Sequence, residues 1–189
     1  MGRQKKFSRE GVLEKVIPVF WRHGFAGTTL AHLEKASGVN KSGLYAEFRD
    51  KDDLFLACLR HYIDRRAVHA ALSARPQGWG NIEAFLRLSC GSPEPQDSVC
   101  PQGCLAVNSM REFALLPAGA IDIITQLRET IRPLLVENIR AEETRTDAEI
   151  LAEMVSVFFS GLCIEQNLQR GFADTDRKIR RFMQALRTL

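Results

Sequence analysis

Residues 28–48 read TTLAHLEKASGVNKSGLYAEF and carry the clearest local pattern in this chain. Apolar residues recur there every three or four positions, which predicts two short helices and no strand. Gly38 supplies the turn between them, because glycine adopts a positive φ without strain. Asn40 is a candidate N-cap for the second helix. Two short helices joined by such a turn are the layout of a helix-turn-helix, whose second helix enters the major groove of DNA.

The start of the second helix offers polar groups to a partner. Lys41 brings a positive charge and Ser42 a hydroxyl, and both suit phosphates or base edges. Free N–H groups at a helix start also favour an anion. Many helix pairs with this pattern pack without touching DNA, so a helical protein-interaction module that has lost DNA binding is the alternative from another class.

The rest of the chain shows the same helical spacing of apolar residues. We predict an all-α fold of about nine helices, with an N-terminal three-helix helix-turn-helix domain at 1–50 and a C-terminal helical bundle at 51–189. Pro18 lies inside the first apolar stripe, so we expect a kink there. The stretch at 150–168 is apolar almost all round, which predicts a helix buried on most faces.

Composition and charge narrow the class of protein. The chain has 189 residues and a formal net charge of +3, and residues 1–63 hold 11 Lys and Arg against 7 Asp and Glu. A polyanionic partner is therefore expected at the N-terminal end. No apolar run approaches the roughly 18 residues that span a bilayer, and we expect a soluble, cytoplasmic protein. No catalytic triad pattern or phosphate loop occurs, so we expect no enzyme activity and no cofactor.

A longer run, GFAGTTLAHLEKASGVNKSGLYAEFRDKDDLF at 24–55, resembles the DNA-binding domain of TetR/AcrR-type transcriptional repressors. The likeness is carried by the paired threonines, the ASGV turn, the Ser-Gly-Leu-Tyr run, Phe48 and the Lys-Asp-Asp-Leu entry to the next helix. It covers about the first 63 residues, and GCLAVNS at 103–109 is similar to a further segment of many such proteins. The resemblance implies a regulator that binds double-stranded DNA.

The resemblance also implies a set of DNA contacts, carried over position by position. Thr29 should meet a phosphate, and Tyr45 should bond a phosphate through its hydroxyl. Lys41, Ser42 and Gly43 should face the groove. Lys51 should touch the DNA backbone. The full set of implied DNA-binding residues is Thr28, Thr29, Asn40, Lys41, Ser42, Gly43, Tyr45 and Lys51.

One position departs from the family pattern. Glu47 stands where the family often has a histidine that donates to phosphate, and a carboxylate beside DNA repels it. Either Arg49 takes over that contact or the helix sits differently on DNA. Arg3, Lys5 and Lys6 are candidates for an arm along the DNA.

The resemblance further implies a homodimer on a palindromic operator, released when a small-molecule effector binds the C-terminal bundle. The helices at about 148–170 and 175–188 would form the dimer interface. The identity of the effector, the operator sequence and the choice between repression and activation stay open. Polar residues at apolar-patterned positions are the candidates for an effector pocket: Cys104, Asn108, Arg111, Cys163 and Gln166.

The segment VCPQGC raises an alternative for the signal. It places Cys100 and Cys104 four positions apart at the start of a predicted helix, where a thiol can become reactive. A repressor that senses an oxidant or electrophile through these two cysteines is therefore a competing hypothesis. The same spacing without a nearby histidine does not predict a metal site.

Overall fold

A computed structural model describes residues 7–64, 68–88, 103–168 and 172–189 of the chain. These described residues form helices and turns and no strand, which confirms the predicted all-α fold. The α-helices are α1 (Arg9–Gly27), α2 (Leu30–Ser37), α3 (Lys41–Glu47), α4 (Lys51–Asp64), α5 (Val68–Ser73), α6 (Trp79–Leu88), α7 (Leu105–Ser109), α8 (Ala120–Arg140), α9 (Ala148–Glu165) and α10 (Phe172–Leu186), with 3₁₀ segments at Met110–Leu115 and Gln166–Leu168.

Helix α1 begins at a serine cap and is interrupted near its end. The Ser8 hydroxyl oxygen accepts a hydrogen bond from the Gly11 N–H at 3.0 Å. Inside the helix the backbone leaves helical dihedral angles at Gly24, where φ is 71°, and not at Pro18. Proline has a helical φ, so Pro18 can keep helical dihedral angles although it loses a hydrogen bond and crowds the preceding turn, whereas glycine can take a positive φ at little cost. The break therefore lies six residues beyond the expected kink.

Contacts divide the chain into two compact units. The N-terminal unit comprises Met1–Arg65 and Asn108–Ile124. It therefore includes α4, which the sequence placed beyond a boundary at residue 50. The reason is packing: Leu54, Phe55 and Leu59 of α4 are buried, and the rings of Phe55 and Phe20 of α1 meet edge to face with centroids 5.1 Å apart.

The C-terminal unit comprises Arg66–Val107 and Thr125–Leu189. Aromatic pairs join its helices: Phe85 of α6 stacks on Phe159 of α9 with centroids 4.7 Å apart, and Phe158 stacks on Phe182 of α10 at 3.8 Å. Phe85 and Phe159 are buried, and a fully buried Phe side chain stabilises a fold by about 1.5–3 kcal/mol, whereas Phe158 and Phe182 are half-buried. In the ranges that the structure describes, no helix is both long and apolar enough to cross a membrane.

A buried amide organises one end of this unit. Asn138 of α8 is fully buried, and its amide nitrogen donates to the carbonyl oxygens of Leu72 and Leu134, both at 2.7 Å. Its oxygen accepts from the Gly78 N–H at 3.0 Å and from the Asn81 side chain at 2.8 Å. Because every polar atom of the amide is paired, the turn between α5 and α6 is fixed against α8.

Candidate nucleic-acid interface

The start of α2 is a capped helix end that faces outward. The Thr29 hydroxyl oxygen accepts from the His32 N–H at 3.3 Å, and His32 Nδ1 accepts from the Thr29 N–H at 3.4 Å. This reciprocal pair is a capping box with histidine in place of the usual Glu or Gln. Thr29 is exposed and its hydroxyl hydrogen is not used by the cap, so the residue can still donate to an outside acceptor.

Thr28 has a different role from its neighbour. Its side chain is buried, and its hydroxyl donates to the Gly24 carbonyl oxygen at 2.6 Å. The sequence placed Thr28 among the DNA contacts, but a hydroxyl turned inward in this way closes the break in α1. We therefore assign Thr28 to the junction between α1 and α2 and not to a DNA-facing surface.

Two side chains satisfy the start of α3. Asn40 is the N-cap, as predicted, and its oxygen accepts from the Gly43 N–H at 2.9 Å. The Glu34 carboxylate of α2 accepts from the Lys41 N–H. Two of the N–H groups that were expected to attract a phosphate, those of Lys41 and Gly43, are therefore already paired within the protein. What this helix start presents outward is the exposed side chains of Lys41 and Ser42.

Gly43 packs where the sequence expected it to face the groove. A Cβ atom on Gly43 would lie 2.6 Å from Cγ1 of Val39, which is closer than real carbon atoms approach. The short, branched valine side chain cannot bend away. Gly43 therefore lets α3 lie directly on the preceding turn, and Tyr45 is 37 % exposed, whereas Leu44 and Phe48 are buried.

Lys51 is engaged inside the N-terminal unit. Its ammonium donates to the carbonyl oxygens of Phe25 at 3.0 Å and Thr28 at 3.1 Å, and it lies 4.4 Å from the centre of the Phe25 ring. An ammonium has three donors, so one hydrogen is left for a phosphate. Its role as a DNA-backbone contact remains a prediction. The contact with residues 25–28 was not expected from the sequence.

Arg9 contacts the end of α3 at Glu47 and Phe48. The Arg9 guanidinium lies 4.2 Å from the centre of the Phe48 ring and donates to the Glu47 carbonyl oxygen. Arg49 is 83 % exposed at its side chain and is 3.8 Å from Asp53, a pair that contributes little stability in water. That Arg49 takes over the phosphate contact of the family's histidine remains a prediction. Arg3, Lys5 and Lys6 lie outside the described residues.

The effector candidates fall into both units. In the C-terminal unit Cys104, Cys163 and Gln166 are buried. The Gln166 amide nitrogen and oxygen have no hydrogen-bond partner among the described residues. Asn108 and Arg111 belong to the N-terminal unit, where Asn108 is half-buried and Arg111 exposed. The structure therefore does not collect the five candidates in one unit.

The cysteines differ in their surroundings. A Cβ atom on Gly103, next to Cys104, would lie 2.7 Å from the Cys163 carbonyl oxygen, so the chain before α7 packs tightly on α9. Burial raises the pKa of the Cys58 thiol in the N-terminal unit far above its usual value, which makes it a poor nucleophile. Cys100 lies outside the described residues. Within those residues, no group of three or more His, Cys, Asp and Glu side chains is arranged to hold a metal ion.

Comparison with known proteins gives the site its context. The sequence model described as "Bacterial regulatory proteins, tetR family" matches residues 13–58. The HTH-type transcriptional repressor ComR of Escherichia coli is 48% identical over 67 residues, which span 35% of this chain but only 32% of ComR. The HTH-type transcriptional repressor AcnR of Corynebacterium efficiens is 38% identical over 145 residues, 76% of this chain and 72% of that protein.

A solved structure matches almost the whole chain. It is a cysteine mutant of the TetR family transcriptional regulator CifR, complexed with 26bp double-strand operator DNA. The TM-score is 0.81 at 26% sequence identity, and the match covers 97% of this chain and 99% of CifR. The fold of this chain is therefore similar to that of a TetR family regulator whose structure is known in complex with operator DNA.

The close approach of Gly43 to Val39 predicts the sign of a stability change. Gly43→Ala should lower the free energy of unfolding by about 1–3 kcal/mol, because the added methyl group overpacks the start of α3. Gly80→Ala is the matched control: Gly80 also lies in a helix, and nothing stands within 4 Å of its would-be Cβ. That change should be neutral or stabilising by up to about 1 kcal/mol. Urea unfolding of both variants measures the difference, and equal effects would contradict the packing argument.

Proposed function

This chain belongs to the TetR family of bacterial regulatory proteins, and we propose that it is a transcriptional repressor that binds operator DNA through α3. The observation that carries the proposal is that some side chains of α3 are buried and others are exposed. Leu44 and Phe48 are buried and hold the helix, while Lys41, Ser42 and Tyr45 are exposed. A helix placed in this way can enter the major groove without disturbing its own core.

The contacts that we propose divide into two kinds. Lys41 and Ser42, at the start of α3, read base edges or hold phosphates in the groove. Thr29 and Tyr45 donate hydroxyl hydrogens to phosphates on either side, and Lys51 adds its remaining N–H. Phosphate contacts fix the position of the protein and base contacts give it sequence preference.

We propose that the protein acts as a homodimer through α9 and α10. The support is a stripe of apolar side chains along α9 that the subunit leaves exposed: Ile150, Met154, Val157 and Ile164, at 55%, 38%, 62% and 39%. Gly161, exposed and with open space around its would-be Cβ, falls in the same stripe. Spacings of three and four residues place all five on one face, as in helices that pair with a second helix.

Dimerisation and DNA binding are geometrically linked. Two recognition helices that serve the half-sites of a palindrome must lie about 34–36 Å apart. A molecule that binds the C-terminal unit better in one arrangement of the two subunits than in another shifts that separation and releases the DNA. This is the effector role that we propose for the C-terminal unit.

The unpaired amide of Gln166 is an argument for a ligand site in the C-terminal unit. A buried polar group without a partner lowers stability by about 1–3 kcal/mol, and a bound molecule that pairs with the donor and the acceptor of the amide removes this cost. Cys163 lies one turn before it on α9, and Cys104 lies beside the chain that packs on Cys163. We propose that these three residues contact the effector.

A thiol switch is the second candidate, and the packing at Gly103 favours it. The chain next to Cys104 packs closely on α9 and Cys104 itself is buried, so a group added to its sulfur has to displace neighbouring atoms. An electrophile that reacts with the thiol would therefore displace the residues packed around Cys104. Addition of the thiolate to an activated alkene forms the C–S bond, and a proton from water completes the adduct.

The proposal makes a clear prediction for Lys41. Duplexes that bind the protein are first selected from random DNA, and fluorescence anisotropy then gives Kd over a range of salt concentrations. Lys41→Ala should weaken binding by about 1–3 kcal/mol and, if the lysine neutralises one phosphate, make the slope of log K against log salt shallower by about 0.9. Arg128→Ala removes the same charge from the exposed surface of α8 and should leave both quantities nearly unchanged. If the two variants behave alike, α3 is not the recognition helix.

The dimer is tested by a charge on the α9 stripe. Val157→Asp places a carboxylate on the most exposed apolar position of α9 and should shift sedimentation velocity from dimer to monomer. Leu115→Asp makes the same change at a similarly exposed leucine, 60% accessible, outside α9 and should keep the dimer. A Val157→Asp dimer of wild-type strength would exclude α9 as the interface.

The thiol switch is tested with N-ethylmaleimide as the electrophile. Treated wild-type protein should lose binding to the selected duplex, whereas a variant with both Cys100→Ser and Cys104→Ser should keep it after the same treatment. Equal loss of binding in the two proteins assigns the effect to other cysteines and removes this candidate.

A further inference from the structure

The break at the end of α1 creates a small anion site. At Gly24 the chain turns with φ at 71°, and the next two N–H groups point to one place outside the helix. A single carboxylate oxygen, Oε2 of Glu112, accepts both of them, from Phe25 at 2.6 Å and from Ala26 at 3.3 Å. Glu112 lies in the 3₁₀ segment Met110–Leu115, far along the chain but within the same compact unit.

Gly24 and Glu112 fit each other closely. A Cβ atom on Gly24 would lie 2.3 Å from Oε1 of Glu112, so the carboxylate occupies the space that any other residue at position 24 would need. The positive φ excludes other residues for a second reason, because L side chains are strained there. Both the conformation and the space at Gly24 thus suit one bound carboxylate.

Lys51 binds carbonyl oxygens of the same turn, whose N–H groups bind Glu112. Its ammonium takes the carbonyl oxygens of Phe25 and Thr28, while Glu112 takes the N–H groups of Phe25 and Ala26. The turn 24–28 is therefore held by a negative group on one side and a positive group on the other. Thr29, the cap of α2, follows it directly.

We propose that Glu112 is a positioning residue for DNA binding: its carboxylate holds the turn 24–28 so that Thr29 and α2 meet DNA in the correct place. The inference rests on the proposed DNA-binding function. A negative charge on a DNA-binding protein normally weakens binding to DNA. The Glu112 carboxylate is inferred to strengthen it. Hydrogen bonds to charged groups are among the stronger ones in proteins, so the loss should be measurable.

The experiment removes the negative charge of Glu112 in two variants and that of Glu129 in a control variant. Glu112→Gln should raise Kd for the selected duplex about tenfold at fixed salt, and Glu112→Ala, which removes the acceptor as well, should raise it further. Glu129→Gln, on the exposed surface of α8, should leave Kd unchanged or lower it slightly. If Glu112→Gln binds as tightly as Glu129→Gln, the inference is wrong. If the wild-type protein selects no duplex at all, the proposed function fails instead.

Amide hydrogen exchange separates positioning from general loss of structure. In Glu112→Gln the Phe25 and Ala26 N–H groups should exchange faster, while those of Leu44 and Phe48 in and after α3 should keep their protection. A uniform rise in exchange across the N-terminal unit would show a merely structural role. Should the variants fail to fold, unprotected Phe25 and Ala26 amides in the wild-type protein would overturn the inference by themselves.

Discussion

The contact between Gly43 and the Val39 side chain is the constraint on which the helix-turn-helix depends. With no side chain at Gly43, the first turn of α3 can lie on the turn that precedes it, and Leu44 is buried. The caps at Asn40 and Glu34 fix the same helix start in direction. A helix of only seven residues has little stability of its own, so its orientation is set by these tertiary contacts.

Features that depend on neighbouring residues were predicted well from the sequence. The cap at Asn40 was predicted, and the caps at Ser8 and Thr29 rest on the same local chemistry, because a cap needs only a suitable side chain and the next few N–H groups. The contacts of Glu112 and Lys51 with the turn after Gly24 were missed, because their partners are 87 and 26 residues away. No periodicity or motif carries information about pairs at such a distance.

Apolar patterns also predicted burial only in part. In α9 the sequence indicated a helix covered on most sides, and one face is indeed buried through Leu151, Val155 and Leu162. Another face, with Ile150 and Val157, is exposed in the subunit. An apolar pattern predicts that a side chain is shielded from water, but not whether its own chain or another molecule covers it. The same limit applies to the effector candidates, whose pattern could not show that Arg111 is exposed.

The alternation within α3 has a consequence for how such a protein changes over time. Gly43, Leu44 and Phe48 determine whether the helix is seated, whereas Lys41 and Ser42 are exposed. Substitutions at exposed positions usually change the free energy of unfolding by less than about 0.5 kcal/mol. Duplicated copies of this gene can therefore acquire new outward residues, and with them new target sequences, while the scaffold that carries the helix keeps its stability. In α3 the residues that seat the helix are therefore different from the residues that set its preference for a DNA sequence.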